Sequence, residues 1–190
     1  DTEYRRERKM SIRGRNRGSG ASWTKKVIST AAQGPQSVHS AGLDGDGDRD
    51  VLAASSSGDT IAWYENQGGG NFGPLQVIST DARWAKSVFS ADLDGDGDPD
   101  VLVACYGQDK VAWYENLGGA VFGPERVITT SADGAQSAFA IDVDGDGDAD
   151  VLSASYLDDR IAWYENLGSG SFGAQQVITN QANGAQCVYA

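Results

Sequence analysis

Aspartate residues recur in this chain at a spacing that could hold a metal ion. Three strings alternate aspartate with glycine, at Leu43–Asp48, Leu93–Asp98 and Val143–Asp148, and each starts fifty residues after the one before. A further aspartate follows each string by two positions. Calcium prefers roughly six to eight oxygen ligands, and a short loop supplies them when side chains at alternate positions converge. The spacing therefore predicts three calcium loops.

In the second loop each position can be assigned a role as a ligand or as a turn residue. Asp92, Asp94 and Asp96 are predicted to present carboxylates at alternate positions. The glycine after Asp96 permits a left-handed turn that side chains rarely tolerate. Asp98 is expected to offer its backbone carbonyl, and Asp100 to complete the set of oxygens.

The first loop differs from the other two at its first ligand position. Gly42 stands where Asp92 and Asp142 stand, so one carboxylate is missing. We expect about one Ca²⁺ for each complete loop, with the first loop the weakest site. The predicted metal ligands are Asp44, Asp46, Asp48 and Asp50 in the first loop, Asp92, Asp94, Asp96, Asp98 and Asp100 in the second, and Asp142, Asp144, Asp146, Asp148 and Asp150 in the third.

These strings admit two other interpretations. An EF-hand loop needs a bidentate glutamate at its twelfth position, where this chain has Ala53, Val103 and Ser153. The EF-hand is therefore excluded. The strings could also be solvated acidic turns, but three copies in register with the same ligand spacing favour a metal site.

Internal repetition at this period indicates a solenoid, propeller or array. Each unit contains four short apolar runs separated by turn residues, which predicts a four-stranded antiparallel sheet. The runs are apolar on both faces, as in a propeller blade buried between neighbours. The sequence predicts an all-β fold, a β-propeller segment with complete blades at about 35–80, 85–130 and 135–180. An outer strand before them and the start of a further blade at 183–190 suggest part of a longer ring, or a ring completed by another copy.

The loops, together with Phe-Gly-Pro at Phe72–Pro74 and Phe122–Pro124, resemble FG-GAP and VCBS repeats. The resemblance covers about Lys25 to Ala190. It implies the blades of integrin-type β-propellers, with calcium held between the first two strands of a blade. That family includes adhesion receptors, lectin-like proteins and domains attached to enzymes, so the resemblance does not specify one activity.

The charge of the chain is unevenly distributed. The formal net charge is −12 at pH 7, yet Asp1–Gly20 carries seven basic and three acidic residues. Residues 1–22 have little apolar surface to bury and are predicted to form a flexible basic tail, with the propeller occupying residues 23–190. The acidic remainder argues against nucleic acid as a partner. No apolar stretch is long enough to span a membrane.

A Trp-Tyr-Glu-Asn motif recurs in every unit and has two interpretations. The tryptophans could be platforms for sugar rings between blades, with the glutamates as acceptors. Alternatively, and preferably, they fill the space between twisted sheets, while the asparagines open the glycine-rich hairpins that follow. The residues are Trp63, Trp113 and Trp163, Glu65, Glu115 and Glu165, and Asn66, Asn116 and Asn166.

The sequence offers little for catalysis. His39, the one histidine, occupies the position of Phe89, Phe139 and Tyr189, so we expect it to replace a packing aromatic. The loop carboxylates are assigned to metal, and no nucleophile elbow, phosphate loop or zinc spacing occurs. We therefore predict a protein that is not an enzyme.

The two cysteines, Cys105 and Cys187, replace serines of the repeat and are predicted to be buried free thiols.

Open calcium loops commonly bind at the millimolar levels found outside cells, which favours an extracellular, cell-surface or organelle-lumen location. We expect a calcium-binding propeller module that binds or scaffolds a protein partner or the rest of a longer propeller. The alternatives are a lectin-like propeller that binds glycans and a non-catalytic part of a larger secreted enzyme or assembly.

Overall fold

A computed structural model describes residues 10–13, by their backbone, and residues 25–189. Strands account for most of the ordered elements, and among the described residues the only helix is a short 3₁₀ turn at Tyr106–Gln108. The strands are β1 (Met10–Arg13), β2 (Lys25–Ser29), β3 (Pro35–Ala41), β4 (Asp50–Ser55), β5 (Thr60–Tyr64), β6 (Gln76–Ser79), β7 (Ala85–Ala91), β8 (Asp100–Cys105), β9 (Lys110–Asn116), β10 (Phe122–Thr129), β11 (Ala135–Ile141), β12 (Asp150–Ser155), β13 (Arg160–Tyr164) and β14 (Gln176–Thr179).

Three four-stranded sheets repeat one topology. Each is an antiparallel meander in chain order, β3 to β6, β7 to β10 and β11 to β14. The register also repeats, because Leu52, Leu102 and Leu152 each lie opposite the tryptophan of the next strand. The predicted all-β architecture of four-stranded antiparallel blades is confirmed, and the three sheets do not close into a ring.

Packing between successive sheets explains why the second strand of each is apolar on both faces. All six residues of β4 and all six of β8 are buried. Alternate residues of β8 face opposite neighbours. Val101 and Val103 pack with Leu52 of the first sheet, whereas Leu102 packs with Val151 of the third. Each fully buried aliphatic side chain stabilises the fold by about 1.5–3 kcal/mol. The core therefore lies between blades rather than within one.

The inner strands carry a row of aromatic rings. The rings of His39 and Phe89 are 4.6 Å apart, those of Phe89 and Phe139 are 4.6 Å apart, and those of Phe139 and Tyr189 are 5.2 Å apart. His39 thus replaces a packing aromatic, as predicted. Burial, with Arg49 nearby as a second cause, lowers its pKa below the usual value, which keeps the ring neutral.

The two ends of the described chain pack against the outer sheets. Ile28 of β2 covers Val51, Ala53 and Tyr64 on the open face of the first sheet. β1 pairs antiparallel with β2, so four residues of the segment predicted as a flexible tail, residues 1–22, are in a strand. The rest of that segment lies outside the described residues.

At the other end, residues 185–189 are extended beside β11. The Val188 N–H donates to Ser137 Oγ at 3.3 Å, which reproduces the bond from Val88 N–H to Ser37 Oγ between the first two inner strands. Residues 185–189 therefore occupy the place of a next inner strand.

Both cysteines are free, and Cys105 is buried as predicted. The prediction was wrong for Cys187, which is exposed because no described residue packs over its side of the segment.

Candidate metal centre

Each aspartate loop joins the first and second strands of its sheet. In the second loop the backbone turns at Gly95 and Gly97, where φ is +83° and +95°. A residue with a Cβ adopts such values only at a cost, so the left-handed turn predicted at Gly97 is confirmed. Strands rather than helices flank the loops, which also rules out the EF-hand on structural grounds.

The first aspartate of the second and third loops organises the backbone that follows. Asp92 Oδ1 accepts the N–H of Gly95 at 2.8 Å, and Asp92 Oδ2 accepts the N–H of Gly97 at 3.0 Å. Asp142 makes the same two bonds in the third loop, at 2.7 and 3.1 Å. Gly42 has no side chain to make either bond. The first loop therefore lacks both a carboxylate and the two hydrogen bonds that it would supply.

Carboxylates converge in the second and third loops. One oxygen each from Asp92, Asp94 and Asp100 lie within 4.8 Å of one another. In the third loop the cluster comprises Asp142, Asp144 and Asp146, so Asp146 is its third member and Asp150, the equivalent of Asp100, is not part of it. The first loop, all of whose residues are described, forms no such cluster of three. Carboxylate oxygens are the hard donors that calcium selects, so the two clusters fit that ion.

The last aspartate of each loop is fully buried and has a further role. Asp100 Oδ2 accepts the N–H of Leu93 at 2.8 Å, and Asp100 Oδ1 accepts the N–H of Asn116 at 2.8 Å. Asp50 and Asp150 make the equivalent pairs of bonds, at 2.7–3.0 Å. These carboxylates therefore join the start of each loop to the end of the third strand. They do so with or without a carboxylate at the first position.

Burial has electrostatic consequences for these groups. It raises the pKa of Asp100 to about 7, against the opposing effect of two backbone N–H donors and with added repulsion from Asp94 and Asp96. Burial likewise raises the pKa of Asp50 and of Asp94. A bound cation would favour the ionised forms of these carboxyls.

The structure does not bring every predicted ligand into a cluster. Asp98 Oδ2 lies 3.5 Å from where a Cβ on Gly118 would be, so this carboxylate lies against the hairpin of its own blade. Asp48 and Asp148 lie against their hairpins in the same way. This arrangement leaves Asp98 its backbone carbonyl, which is the group predicted for it. Asp44, Asp46 and Asp96 lie within the loops without joining a described cluster, and their side chains bond backbone N–H groups two residues ahead or remain exposed.

The asparagine of the Trp-Tyr-Glu-Asn motif has a role that sequence analysis missed. Asn116 Oδ1 accepts the N–H of Gly118 at 3.2 Å, which confirms that it opens the hairpin. Its Nδ2 also donates to the carbonyl of Leu43 at 2.8 Å, in the aspartate loop of the preceding blade, and to the carbonyl of Pro99 in its own loop. Asn166 makes the equivalent bond to Leu93 O. The invariance of this asparagine across three repeats was the available signal.

A second repeated residue ties blades together at their opposite end. Asp59, Asp109 and Asp159 recur at the repeat spacing and have positive φ, from 49° to 57°. Their carboxylates accept an N–H from the turn that leads into the next inner strand, at 2.7–2.9 Å. Their recurrence at a spacing of fifty residues is the signal in the sequence that could have identified them.

The repeated tryptophans pack between blades. Trp63 is 6% exposed and Trp113 is 1% exposed, so neither offers a free face to a sugar. Phe172 of the third sheet packs edge-on against Trp113, and Trp163 is half-buried on the open face of that sheet. The packing interpretation of the motif is the one that the structure supports.

Comparison with known proteins places these features in a family. The profile of the FG-GAP-like repeat matches residues 42–103, 92–153 and 142–190. No functionally curated protein matches the chain. No described helix is long and apolar enough to cross a membrane.

Two solved structures resemble the chain. One is an Agrocybe aegerita lectin that recognises non-reducing terminal N-acetylglucosamine, 28% identical over 77% of this chain and 38% of the lectin, with a TM-score of 0.56. The other is the V. cholerae biofilm matrix protein Bap1, 26% identical over 80% of this chain and 21% of that protein, with a TM-score of 0.43. The chain thus spans less than half the length of either. The three profile matches cover most of the chain, which belongs to the FG-GAP-like repeat family.

Proposed function

We propose that this chain is a calcium-stabilised β-propeller module whose role is to bind or scaffold a partner. The observation that carries the proposal is the convergence of three carboxylates in each of the second and third loops. These clusters lie where the first two strands of a blade meet. The ligands we assign are the clustered carboxylates and the backbone carbonyls beside them.

Electrostatics supports a cation at these positions. Carboxylate oxygens within 4.8 Å of one another repel when ionised, and a divalent ion offsets that repulsion. The metal would bind the folded loop and not the unfolded chain, so its binding free energy would add to the free energy of unfolding. The buried carboxylate at the end of each loop would transmit that stabilisation to the third strand.

Thermal unfolding tests the calcium assignment. The chain is melted with excess calcium and with a chelator, alongside Asp94→Ala, Asp144→Ala and Asp44→Ala. We expect calcium to raise the midpoint, and the first two changes to reduce that rise most. The Asp44→Ala change is the matched control, since it alters the same position of the loop without a cluster. A midpoint that is the same in calcium and chelator would sink the assignment.

The coarser role, a binding or scaffolding module, follows from the family and from the lack of catalytic groupings among the described residues. We infer that the chain is not an enzyme and that it works outside the cell, at its surface or in a lumen, where calcium is abundant. A protein partner or the rest of a longer propeller is one class of ligand. The rival interpretation is that the chain is a non-catalytic part of a larger secreted enzyme or assembly.

A second candidate role is carbohydrate binding. It is favoured by the similarity to the Agrocybe aegerita lectin, the solved structure with a TM-score of 0.56. A sugar site in this chain cannot use Trp63 or Trp113, because both are buried between blades. Glycan binding measured with and without calcium tests this role separately from the unfolding experiment. Glycan binding in neither condition would contradict it.

A further inference from the structure

One repeat departs from the others at the turn that leads into its inner strand. Glycine occupies the third position of this turn at Gly34, Gly134 and Gly184, where φ is 61–65°. The second repeat has Trp84 there, at φ +50°. Bulky side chains in this left-handed region strain the backbone. Since three copies make the same turn with glycine, the fold does not require the tryptophan.

The Trp84 side chain is held at the surface rather than packed into the core. It is 54% exposed. Its indole lies over Gly107, where an added Cβ would be only 3.3 Å from Cγ of the indole, and its ring is 6.0 Å from that of Tyr106 at an angle of 33°. We call the exposed indole and the neighbouring Tyr106 ring the Trp84 platform.

Backbone hydrogen bonds fix this platform. The Trp84 N–H donates to Asp59 Oδ1 at 2.9 Å, and the Trp84 carbonyl accepts the N–H of Tyr106 at 3.3 Å. The Arg83 carbonyl accepts the N–H of Gly107 at 3.1 Å. The backbone that carries the indole therefore joins the turn before β7 to the turn after β8.

Polar groups border the aromatic surface. The Gln108 amide accepts the N–H of Arg83 at 3.1 Å and donates to Asp81 Oδ1 at 3.3 Å. The ammonium of Lys86 lies 5.7 Å from the centre of the Tyr106 ring, and the side chain of Arg83 is exposed. Within the described residues, neither Arg83 nor Lys86 forms a salt bridge. Hydrogen-bond donors and acceptors thus lie on the same turns that carry the two rings.

The basic residues are also particular to this repeat. Arg83 and Lys86 have only neutral or acidic counterparts in the other copies, which are Gln33, Asp133 and Asn183 for Arg83, and Gln36, Gln136 and Gln186 for Lys86. Three departures within four residues thus concentrate an exposed indole and two cationic donors at one point.

We propose that the Trp84 platform is a binding site for a sugar ring. The apolar face of a pyranose would stack on the indole, while Arg83, Lys86 and the Gln108–Asp81 pair would hydrogen-bond its oxygens. A stacked nucleobase would use similar groups, but the net charge of −12 opposes a polyanionic nucleic acid. The inference rests on the carbohydrate-binding role proposed above and names its site.

The test uses Trp84→Gly, which installs the residue of the other three repeats. Because glycine adopts the observed φ readily, this variant should unfold at or above the midpoint of the unaltered chain. The matched control is Leu117→Gln, which changes another exposed apolar residue of the same repeat. Glutamine is the residue that the first repeat has at this position, as Gln67. Each protein is applied, with calcium present, to immobilised neutral, N-acetylated and uronic-acid oligosaccharides, and saccharides that bind are titrated in solution.

We expect the unaltered chain to bind at least one saccharide with a Kd of about 1 mM or tighter, and Trp84→Gly to weaken it at least ~10-fold. Leu117→Gln should bind within about twofold of the unaltered chain. Binding of no saccharide, or equal binding by Trp84→Gly, overturns the site. Calcium-dependent unfolding is measured on the same samples. A calcium shift without saccharide binding overturns this site together with the carbohydrate-binding role and leaves the calcium assignment standing, whereas saccharide binding that survives Trp84→Gly overturns only the site.

Discussion

The first and second aspartate loops share a support and differ in the groups that converge on it. In both, the buried last aspartate accepts two backbone N–H groups, and the asparagine of the Trp-Tyr-Glu-Asn motif donates to a loop carbonyl. Only the second has a first aspartate, Asp92, with its two bonds to glycine N–H groups and its cluster of carboxylates. The counterpart in the first loop is Gly42.

This difference separates two jobs that the aspartates perform. Asp50 and Asp100 hold the loop to the sheet, and they do so whether or not carboxylates gather beside them. Asp92 brings carboxylates together, and the loop folds along the same path without it. The buried aspartate is therefore a structural residue first, whereas we propose that the capacity to bind calcium depends on the first position.

The largest effect is expected from removing the buried carboxylate. Asp100→Ala would leave the N–H groups of Leu93 and Asn116 unpaired in the interior, at about 1–3 kcal/mol each, and would also remove a member of the carboxylate cluster. Asp50→Ala should cost a similar amount through Leu43 and Asn66. Chemical denaturation in calcium and in chelator measures both.

The two variants should differ in their response to calcium. Asp100→Ala should lose more stability in calcium than in chelator, whereas the loss for Asp50→Ala should be the same in both. Equal behaviour of the two variants would mean that the loops bind calcium alike, and would remove the distinction drawn between them.

Exchanging the first-position residues should exchange the calcium response. Asp92→Gly should remove most of the stabilisation contributed by the second site, which is about 2.7 kcal/mol when free calcium is at 100 times its Kd. Gly42→Asp should add a site. A Cβ on Gly42 would lie 3.3 Å from the carbonyl oxygen of Asp48, so a small shift of the loop accompanies the gain.

Calorimetric titration counts the sites in the two exchange variants. We expect Asp92→Gly to bind one calcium fewer than the unaltered chain, and Gly42→Asp to bind one more. An unchanged stoichiometry in both would contradict the role assigned to the first position.

A smaller difference is expected at the asparagines. Asn116 donates to carbonyls in its own blade and in the preceding one, whereas the side-chain amide of Asn66 donates only to Arg49 O among the described residues. Asn116→Ala should therefore destabilise the chain by about 1 kcal/mol more than Asn66→Ala. Urea unfolding of the two variants at one calcium concentration gives the difference, and equal losses would mean that the bond to Leu43 contributes nothing.

The smallest expected difference between the two loops is in how the free energy of unfolding depends on pH. Because the pKa of Asp100 is raised to about 7, the calcium-free fold gains from this carboxyl at pH below about 4 and loses that gain as pH rises to 7. Burial raises the pKa of Asp50 too, so the first loop shares the direction of this effect. Calcium should cancel the loss only at the second loop.

Stability measured from pH 5 to 8 checks this pH dependence. In chelator, the free energy of unfolding should fall with rising pH, and calcium should flatten the curve for the unaltered chain. In Asp92→Gly the flattening should be reduced. A curve that calcium leaves unchanged would contradict the link between this carboxyl and the metal.

The repeat spacing was sufficient to predict the sheets, because four apolar runs bounded by Gly, Asn and Asp leave few other pairings. It also predicted that Gly42 sets the first loop apart. It could not show that both carboxylate oxygens of Asp100 accept backbone N–H groups. One donor is Leu93, and the other is Asn116, which lies sixteen residues after Asp100. Which predicted ligands converge depends on such side-chain directions.

Contacts between blades were hidden for a related reason. Asn116 was visible as a turn residue, but its bond to Leu43 O spans 73 residues and depends on how two sheets pack. Trp84 was visible as an exception to a glycine position, yet its meaning needs the positive φ and the neighbouring Tyr106 ring. A cysteine that replaces a serine says nothing of burial, which is why Cys187 was mispredicted.

The bonds from Asn116 and Asn166 to the preceding loops connect each of these repeats to one that is synthesised earlier. As the chain leaves the ribosome, the loop at Leu43 emerges well before Asn116, which must still be synthesised 73 residues later. The bond from Asn166 to Leu93 repeats this order. The first and second aspartate loops thus each receive a bond from the repeat made after them, so we expect assembly to proceed from the amino terminus, one blade behind synthesis.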